Sequence, residues 1–119
     1  MQKNFLKSGI EISELGLGCM SLGTDFNKAQ PIIESAIENG ITYFDTADIY
    51  DQGINEEIIG KALKKYQYRD DIVIGTKVGN RLTDVGNITW DPSKKHIKEG
   101  IKGSLKRLAL DYIDLYQLH

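Results

Sequence analysis

The sequence of 119 residues has one cysteine, two prolines, one tryptophan and no long hydrophobic run. Because Cys19 is alone, no intrachain disulfide forms, which fits a reducing compartment. No apolar stretch is long enough for a signal peptide or a membrane span, so we expect a cytoplasmic protein. A net charge of −2 with mixed signs gives no long-range field for nucleic acid or for an anionic membrane. The lone cysteine and two separated histidines also predict no metal site.

The composition, 40% hydrophobic and 27% charged, is typical of a globular chain, and its length predicts a single domain over residues 1–119. Short apolar segments predict strands, and amphipathic segments between them predict helices. The predicted strands are residues 15–18, 41–45, 71–77 and 111–119, and the predicted helices are residues 27–40, 54–66 and 91–110. A hairpin with strands at 5–7 and 10–12, around Ser8-Gly9, precedes them.

Helical spacing predicts which side chains face the core. On the first two helices these are Ile32, Ile33, Ala36 and Ile37, then Ile58, Ile59, Ala62 and Leu63. The third helix is predicted to begin with Asp91 as N-cap and Pro92 at its first position. The long segment 79–90 before it is typical of a functional loop, where Trp90 either packs on the loop or lines a substrate pocket.

The order hairpin, then β-α-β-α-β-α-β, predicts an α/β fold with a parallel sheet. Four chemically active side chains lie at or just after predicted strand ends: Asp45, Tyr50, Lys77 and His119. The C-terminal edge of a parallel sheet is where ligands bind, so we expect these four side chains to lie close together in one site there. Each also has an ordinary interpretation, as a loop cap, a loop aromatic, a strand-end lysine and a terminal residue. Their shared position at that edge favours a site.

The chemistry of the four residues is coherent. A phenol has a pKa of about 10, and a neighbouring cation lowers it. Lys77 is predicted to be this cation, Asp45 to hold it, and Tyr50 to act as general acid toward a carbonyl oxygen. His119 is predicted to orient that oxygen by a hydrogen bond. No side chain donates a hydride, so the arrangement implies a cofactor.

The segments "GITYFDTADIY", "VIGTKVG" and "SLKRLALDYIDLYQLH" resemble the aldo-keto reductases, and the resemblance runs from Leu6 to His119. It implies a (β/α)8 TIM barrel and NADPH-dependent reduction of aldehydes or ketones to alcohols. It also places the family's catalytic Asp, Tyr, Lys and His on Asp45, Tyr50, Lys77 and His119. Gly18, Cys19 and Met20, together with Asp45, are implied to lie beside the nicotinamide.

A (β/α)8 barrel typically needs about 250 residues, whereas this chain ends at the fourth strand. We therefore expect the first half of such a barrel, inactive alone and prone to self-association through its open edge. The alternative is a non-catalytic or regulatory binding module on the same scaffold. A doubly wound nucleotide-binding domain is disfavoured, since Ser21 replaces the third glycine of G-x-G-x-x-G.

Overall fold

The computed structural model describes residues 1–66 and 70–119. The strands are β1 (Lys3–Phe5), β2 (Glu11–Ser13), β3 (Gly16–Gly18), β4 (Tyr43–Asp45), β5 (Val73–Val78), β6 (Asn80–Leu82), β7 (Ile88–Trp90) and β8 (Leu115–Leu118). The helices are α1 (Phe26–Glu38), α2 (Ile54–Leu63) and α3 (Lys94–Leu108), with short 3-10 turns at Tyr50–Gly53 and Lys64–Tyr66. Within the described residues, none of these helices has the length and apolar character needed to cross a bilayer.

The central sheet has the order β3-β4-β5-β8, and all of its neighbouring strands are parallel. One helix connects each strand to the next: α1 follows β3, α2 follows β4 and α3 precedes β8. This confirms the predicted α/β fold and its β-α-β-α-β-α-β order. The register pairs Gly18 with Asp45 and Asp45 with Gly75, so the C-terminal ends of β3 and β4 are level in the sheet.

The core lies between one face of this sheet and the helices. Phe44 of β4 is fully buried and Ile74 of β5 is 2% exposed, and both belong to the same hydrophobic cluster as the inner faces of α1 and α2. All four predicted core residues of α2 are buried. On α1 the prediction is wrong for Ile32, which is 49% exposed. The buried stripe runs instead through Ala29, Ile33, Ala36 and Ile37, because Ile32 lies beside the helical face that meets the sheet.

The predicted N-terminal hairpin is present, but its strands lie further from the turn than predicted. The pairing joins Lys3 to Ser13 and Phe5 to Glu11. The Gly9 amide donates to the Leu6 carbonyl at 2.9 Å, and Gly9 has a φ of 89°. The turn therefore takes up Leu6 to Gly9, a larger loop than the two-residue turn that Ser8-Gly9 predicted.

The prediction for the start of α3 is wrong. Ser93, not Asp91, is the N-cap, and its hydroxyl accepts the His96 amide at 3.2 Å. The Asp91 carboxylate instead accepts a hydrogen bond from the amide of Ser93, the cap residue itself, at 3.0 Å. Pro92 thus precedes the cap and is not the first helical residue. Segment 79–90 is also more ordered than predicted, because β6 and β7 pair in it as an antiparallel hairpin.

Candidate active site

Asp45 and Lys77 form an ion pair at the C-terminal edge of the sheet. Asp45 ends β4, and Lys77 is the next-to-last residue of β5. The Lys77 Nζ atom lies 2.8 Å from Asp45 Oδ2 and donates a second bond of 2.8 Å to the Thr46 carbonyl. The side chain of Lys77 is only 14% exposed, so its charge is shielded from water. Such a pair interacts more strongly than one at the surface.

The two remaining predicted site residues complete one continuous group. The Lys77 ammonium lies 5.2 Å from the centroid of the Tyr50 ring, within the range of a cation–π contact. The rings of Tyr50 and His119 meet edge to face, with centroids 5.9 Å apart and an interplanar angle of 87°. The structure therefore brings Asp45, Lys77, Tyr50 and His119 into contact in that order, as the strand-end pattern predicted.

Tyr50 opens a turn with an unusual backbone. Asp51 and Gln52 both have left-handed dihedral angles, with φ of 49° and 55°, and Gly53 follows with a φ of 94°. A left-handed conformation costs a residue other than glycine about 1 kcal/mol. The surrounding structure must therefore stabilise the turn that follows Tyr50.

Tyr43 is a site residue that the sequence reasoning missed. Its hydroxyl donates to Asp45 Oδ1 at 3.1 Å, so the Asp45 carboxylate is held from two sides. Burial raises the pKa of Tyr43 to about 12, and the Asp45 charge adds to this. A phenol with a raised pKa is a poorer acid at neutral pH, so Tyr43 is suited to holding the Asp45 carboxylate by a hydrogen bond. The sequence could have indicated this contact, because residues two apart in a strand, such as Tyr43 and Asp45 of β4, point to the same face.

Trp90 is bonded to the backbone of His119. The Trp90 Nε1 atom donates to the His119 carbonyl at 2.9 Å, and the His119 amide donates to the Val78 carbonyl at 2.7 Å. The hairpin of β6 and β7 thus holds the imidazole-bearing residue at the end of β8.

Gly18 and Cys19, two of the three residues implied to lie beside the nicotinamide, are next to Asp45, since Gly18 pairs with Asp45 in the sheet. The Cys19 amide donates to the Asp45 carbonyl at 2.9 Å, and no atom lies within 4 Å of the place where a Gly18 Cβ would be. A side chain at position 18 would therefore meet open space. Cys19 as a whole is fully buried, burial raises the pKa of its thiol to about 12, and its amide and carbonyl are bonded to Asp45 and Asn55. Met20 is 63% exposed.

A second polar network lies behind the site, and the sequence reasoning did not identify it. The Thr46 hydroxyl donates to Asn55 Oδ1 at 2.6 Å, and the Asn55 amide donates to the Cys19 carbonyl at 2.7 Å. These bonds join the ends of β3 and β4 to the start of α2. Glu56, the next residue, is fully buried and paired with Arg107 of α3. In residues 1–66 and 70–119, no three His, Cys, Asp or Glu side chains are grouped to hold a metal ion.

Comparison with known proteins identifies the family. The Aldo/keto reductase family model matches residues 14–119, so the chain belongs to the aldo/keto reductase family. It is 59% identical over 113 residues to "Uncharacterized oxidoreductase YqkF" of Bacillus subtilis (strain 168), covering 94% of this chain and 36% of that protein. It is 40% identical over 124 residues to "Probable voltage-gated potassium channel subunit beta" of Arabidopsis thaliana, covering 98% of this chain and 36% of that protein.

Solved structures agree with this assignment. The holo form of aldo-keto reductase AKR11C1 from Bacillus halodurans matches with a TM-score of 0.92 and 56% identity, covering 100% of this chain and 40% of its own. The chain thus spans well under half the length of these relatives. The comparisons confirm the predicted family and the predicted fold class, an α/β fold shared with aldo-keto reductase structures.

Proposed function

We propose that this chain carries the catalytic side chains of an oxidoreductase that reduces an aldehyde or ketone to an alcohol with NADPH. The observation that carries the proposal is the shielded Lys77 ammonium, paired with Asp45 on one side and facing the Tyr50 ring on the other. A cation held against a phenol is the arrangement expected for a tyrosine that gives up a proton. Family membership supports the reaction class.

Each residue has a distinct role in the proposed reaction. Tyr50 donates a proton to the carbonyl oxygen of the substrate. Lys77 stabilises the negative charge that this leaves on Tyr50, and Asp45, held by Tyr43, keeps Lys77 in place. His119 donates a hydrogen bond that orients the carbonyl oxygen and stabilises the charge developing on it.

NADPH, when bound, supplies the hydride that the side chains lack. A nicotinamide end beside Asp45 is supported by Gly18, which pairs with Asp45 in the sheet and has no atom within 4 Å of the place where its Cβ would be. The holo form recorded for the Bacillus halodurans relative supports a bound cofactor in the family. NADPH in preference to NADH, and the cytoplasm as the compartment, stay our predictions.

The test compares the wild-type protein, expressed from its whole gene, with its Tyr50→Phe variant. Both are assayed for the oxidation of NADPH with para-nitrobenzaldehyde. Loss of the acid is expected to lower kcat by about 10²–10⁴-fold, while the Kd for NADPH, followed by its fluorescence, changes less than about threefold. Tyr112→Phe is the matched control, because Tyr112 is 69% exposed and outside the site. Turnover by Tyr50→Phe at the wild-type rate would contradict the role given to Tyr50.

The same assay separates the proposal from a non-catalytic module on this scaffold. The relative named as a potassium channel subunit gives that alternative its basis. A module of that kind binds NADPH but does not oxidise it with any of a panel of aldehydes and ketones. Oxidation of NADPH with at least one of these carbonyl compounds would support the reductase, and binding of NADPH without its oxidation would support the module.

A further inference from the structure

The turn that carries Tyr50 is packed against α3 through Arg107. If Gly53 carried a Cβ atom, that atom would lie 2.9 Å from Arg107 Cδ and 3.1 Å from Arg107 Nε. At Gly103 a Cβ would lie 3.0 Å from the guanidinium of the same arginine. The Arg107 side chain therefore fills the space that two glycines leave between the Tyr50 turn and α3.

The guanidinium of Arg107 is anchored by a buried acid. Its Nε atom donates to Glu56 Oε1 at 2.8 Å, and Glu56 is fully buried. The second carboxylate oxygen, Oε2, accepts the Thr76 hydroxyl at 2.8 Å. Both oxygens of the buried Glu56 carboxylate are therefore hydrogen-bonded, one by Arg107 and one by Thr76.

Thr76 connects this pair to the site. It precedes Lys77 in β5, and the two side chains point to opposite faces of the strand. Glu56 follows the Tyr50–Gly53 turn by three residues. One carboxylate thus links the strand that carries Lys77, the segment that carries Tyr50 and the helix that carries Arg107.

We propose that Arg107 and Glu56 act as positioning residues, which hold the left-handed Tyr50–Gly53 turn so that the Tyr50 ring stays against Lys77. Glu56 is fully buried, so it acts through the groups bonded to it and not on substrate. The inference rests on the proposed function, because it deepens the account of how the proton donor is oriented. The structural part of the inference is that Arg107 stabilises this turn, and this part does not depend on which reaction the protein catalyses.

The kinetic test compares Arg107→Ala with Lys106→Ala in the polypeptide as encoded, with NADPH and para-nitrobenzaldehyde. Lys106 is the exposed neighbour on the same helix, so its loss removes the same charge without touching the turn. A catalytic group displaced by about 1 Å loses about 10²-fold in rate. We expect Arg107→Ala to lower kcat by about 10–100-fold with the KM for NADPH nearly unchanged. Arg107→Lys, which keeps the charge and the packed stem, is expected to recover part of the loss.

Amide hydrogen exchange gives a readout that does not need turnover. The Gln52 amide donates to the Ile49 carbonyl at 3.0 Å, and the Ile54 amide bonds back to the carbonyls of Tyr50 and Asp51. In Arg107→Ala these two amides are expected to exchange at least about tenfold faster than in wild type, while amides in the middle of α1 keep their protection. If Arg107→Ala does not fold, the same measurements on Arg107→Lys decide the question, with a smaller change in the same direction.

The two proposals fail in different ways. If the wild-type protein reduces the aldehyde and Arg107→Ala is as active as Lys106→Ala, the inference is overturned. The proposed function is then still supported. Unchanged exchange at Gln52 and Ile54 would overturn the inference whether or not the enzyme is active. A wild-type protein without carbonyl reduction would overturn the proposed function, and faster exchange at those two amides would still support Arg107 as the support of the turn.

Discussion

Asp48 lies two residues before Tyr50, and its carboxylate is poorly stabilised in the folded protein. Its Oδ1 atom is buried without a hydrogen-bond partner among residues 1–66 and 70–119. Burial raises the pKa of Asp48 to about 6 from an ordinary 3.8, and the charge of Glu56 adds to this effect. Arg107 and His96 act in the opposite direction, but they do not compensate for it. The folded state therefore binds a proton at Asp48 more tightly than the unfolded chain does.

The pKa sets the direction and the size of the effect on stability. Since the folded pKa lies above the unfolded one, the stability linked to this proton is present below about pH 3.8 and is lost as the pH rises through about 6. A difference of this size corresponds to about 3 kcal/mol once the group is ionised in both states. Asp48 is only partly buried, and solvent screening reduces this to about 1–2 kcal/mol.

Asp48→Asn is therefore expected to stabilise the protein at about pH 8 by about 1–2 kcal/mol, with the gain shrinking toward zero at about pH 4. Urea unfolding followed by circular dichroism at the two pH values measures this. Asp84→Asn, at an exposed loop position, is the matched control, and we expect it to leave the free energy of unfolding unchanged at both pH values. A destabilised Asp48→Asn, or a gain of equal size at both pH values, would refute the reasoning from burial.

Three further predictions concern the core, the helix contact and the sheet edge. Phe44→Ala removes a fully buried ring and is expected to lower the free energy of unfolding by about 3–5 kcal/mol in urea; a loss below about 1 kcal/mol would contradict the core assignment. Gly60→Ala places a Cβ 2.7 Å from the carbonyl oxygens of Arg107 and Leu108, so we expect a loss of about 1–3 kcal/mol by the same measurement, and an unchanged value would contradict this close contact. For the isolated 119 residues we predict self-association through the unpaired edge of β8, and a monodisperse monomer in light scattering would count against it.

The position of the site could be predicted from the sequence because strand ends are local features. Asp45 and Lys77 each follow an apolar, strand-like segment, and parallel alignment brings such ends to one edge. The order of helices and strands could also be predicted, since helical and strand periodicity differ over short windows. The residues at which each element begins and ends were harder to predict. The start of α3 shifted from Asp91 to Ser93, because both residues are good caps and only the structure shows which amide each one accepts.

The support of the site could not be predicted in the same way. Glu56 and Arg107 are 51 residues apart in the chain, and nothing in the local pattern of either one indicates the pairing. Both sit on helices where a charged residue ordinarily faces solvent. The left-handed turn after Tyr50 was also missed, since Asp51 and Gln52 are not glycines, and only Gly53 gave a signal of positive φ.

The measurement that tests the central claim most directly follows a deuterium label. The polypeptide as encoded is given NADPH deuterated at the transferable position and para-nitrobenzaldehyde, and the product alcohol is analysed by mass spectrometry for wild type and Tyr50→Phe. We predict deuterium on the alcohol carbon, formed about 10²–10⁴-fold more slowly by Tyr50→Phe. Alcohol without deuterium, or equal rates for the two proteins, would contradict the assignment of hydride transfer with Tyr50 as the acid.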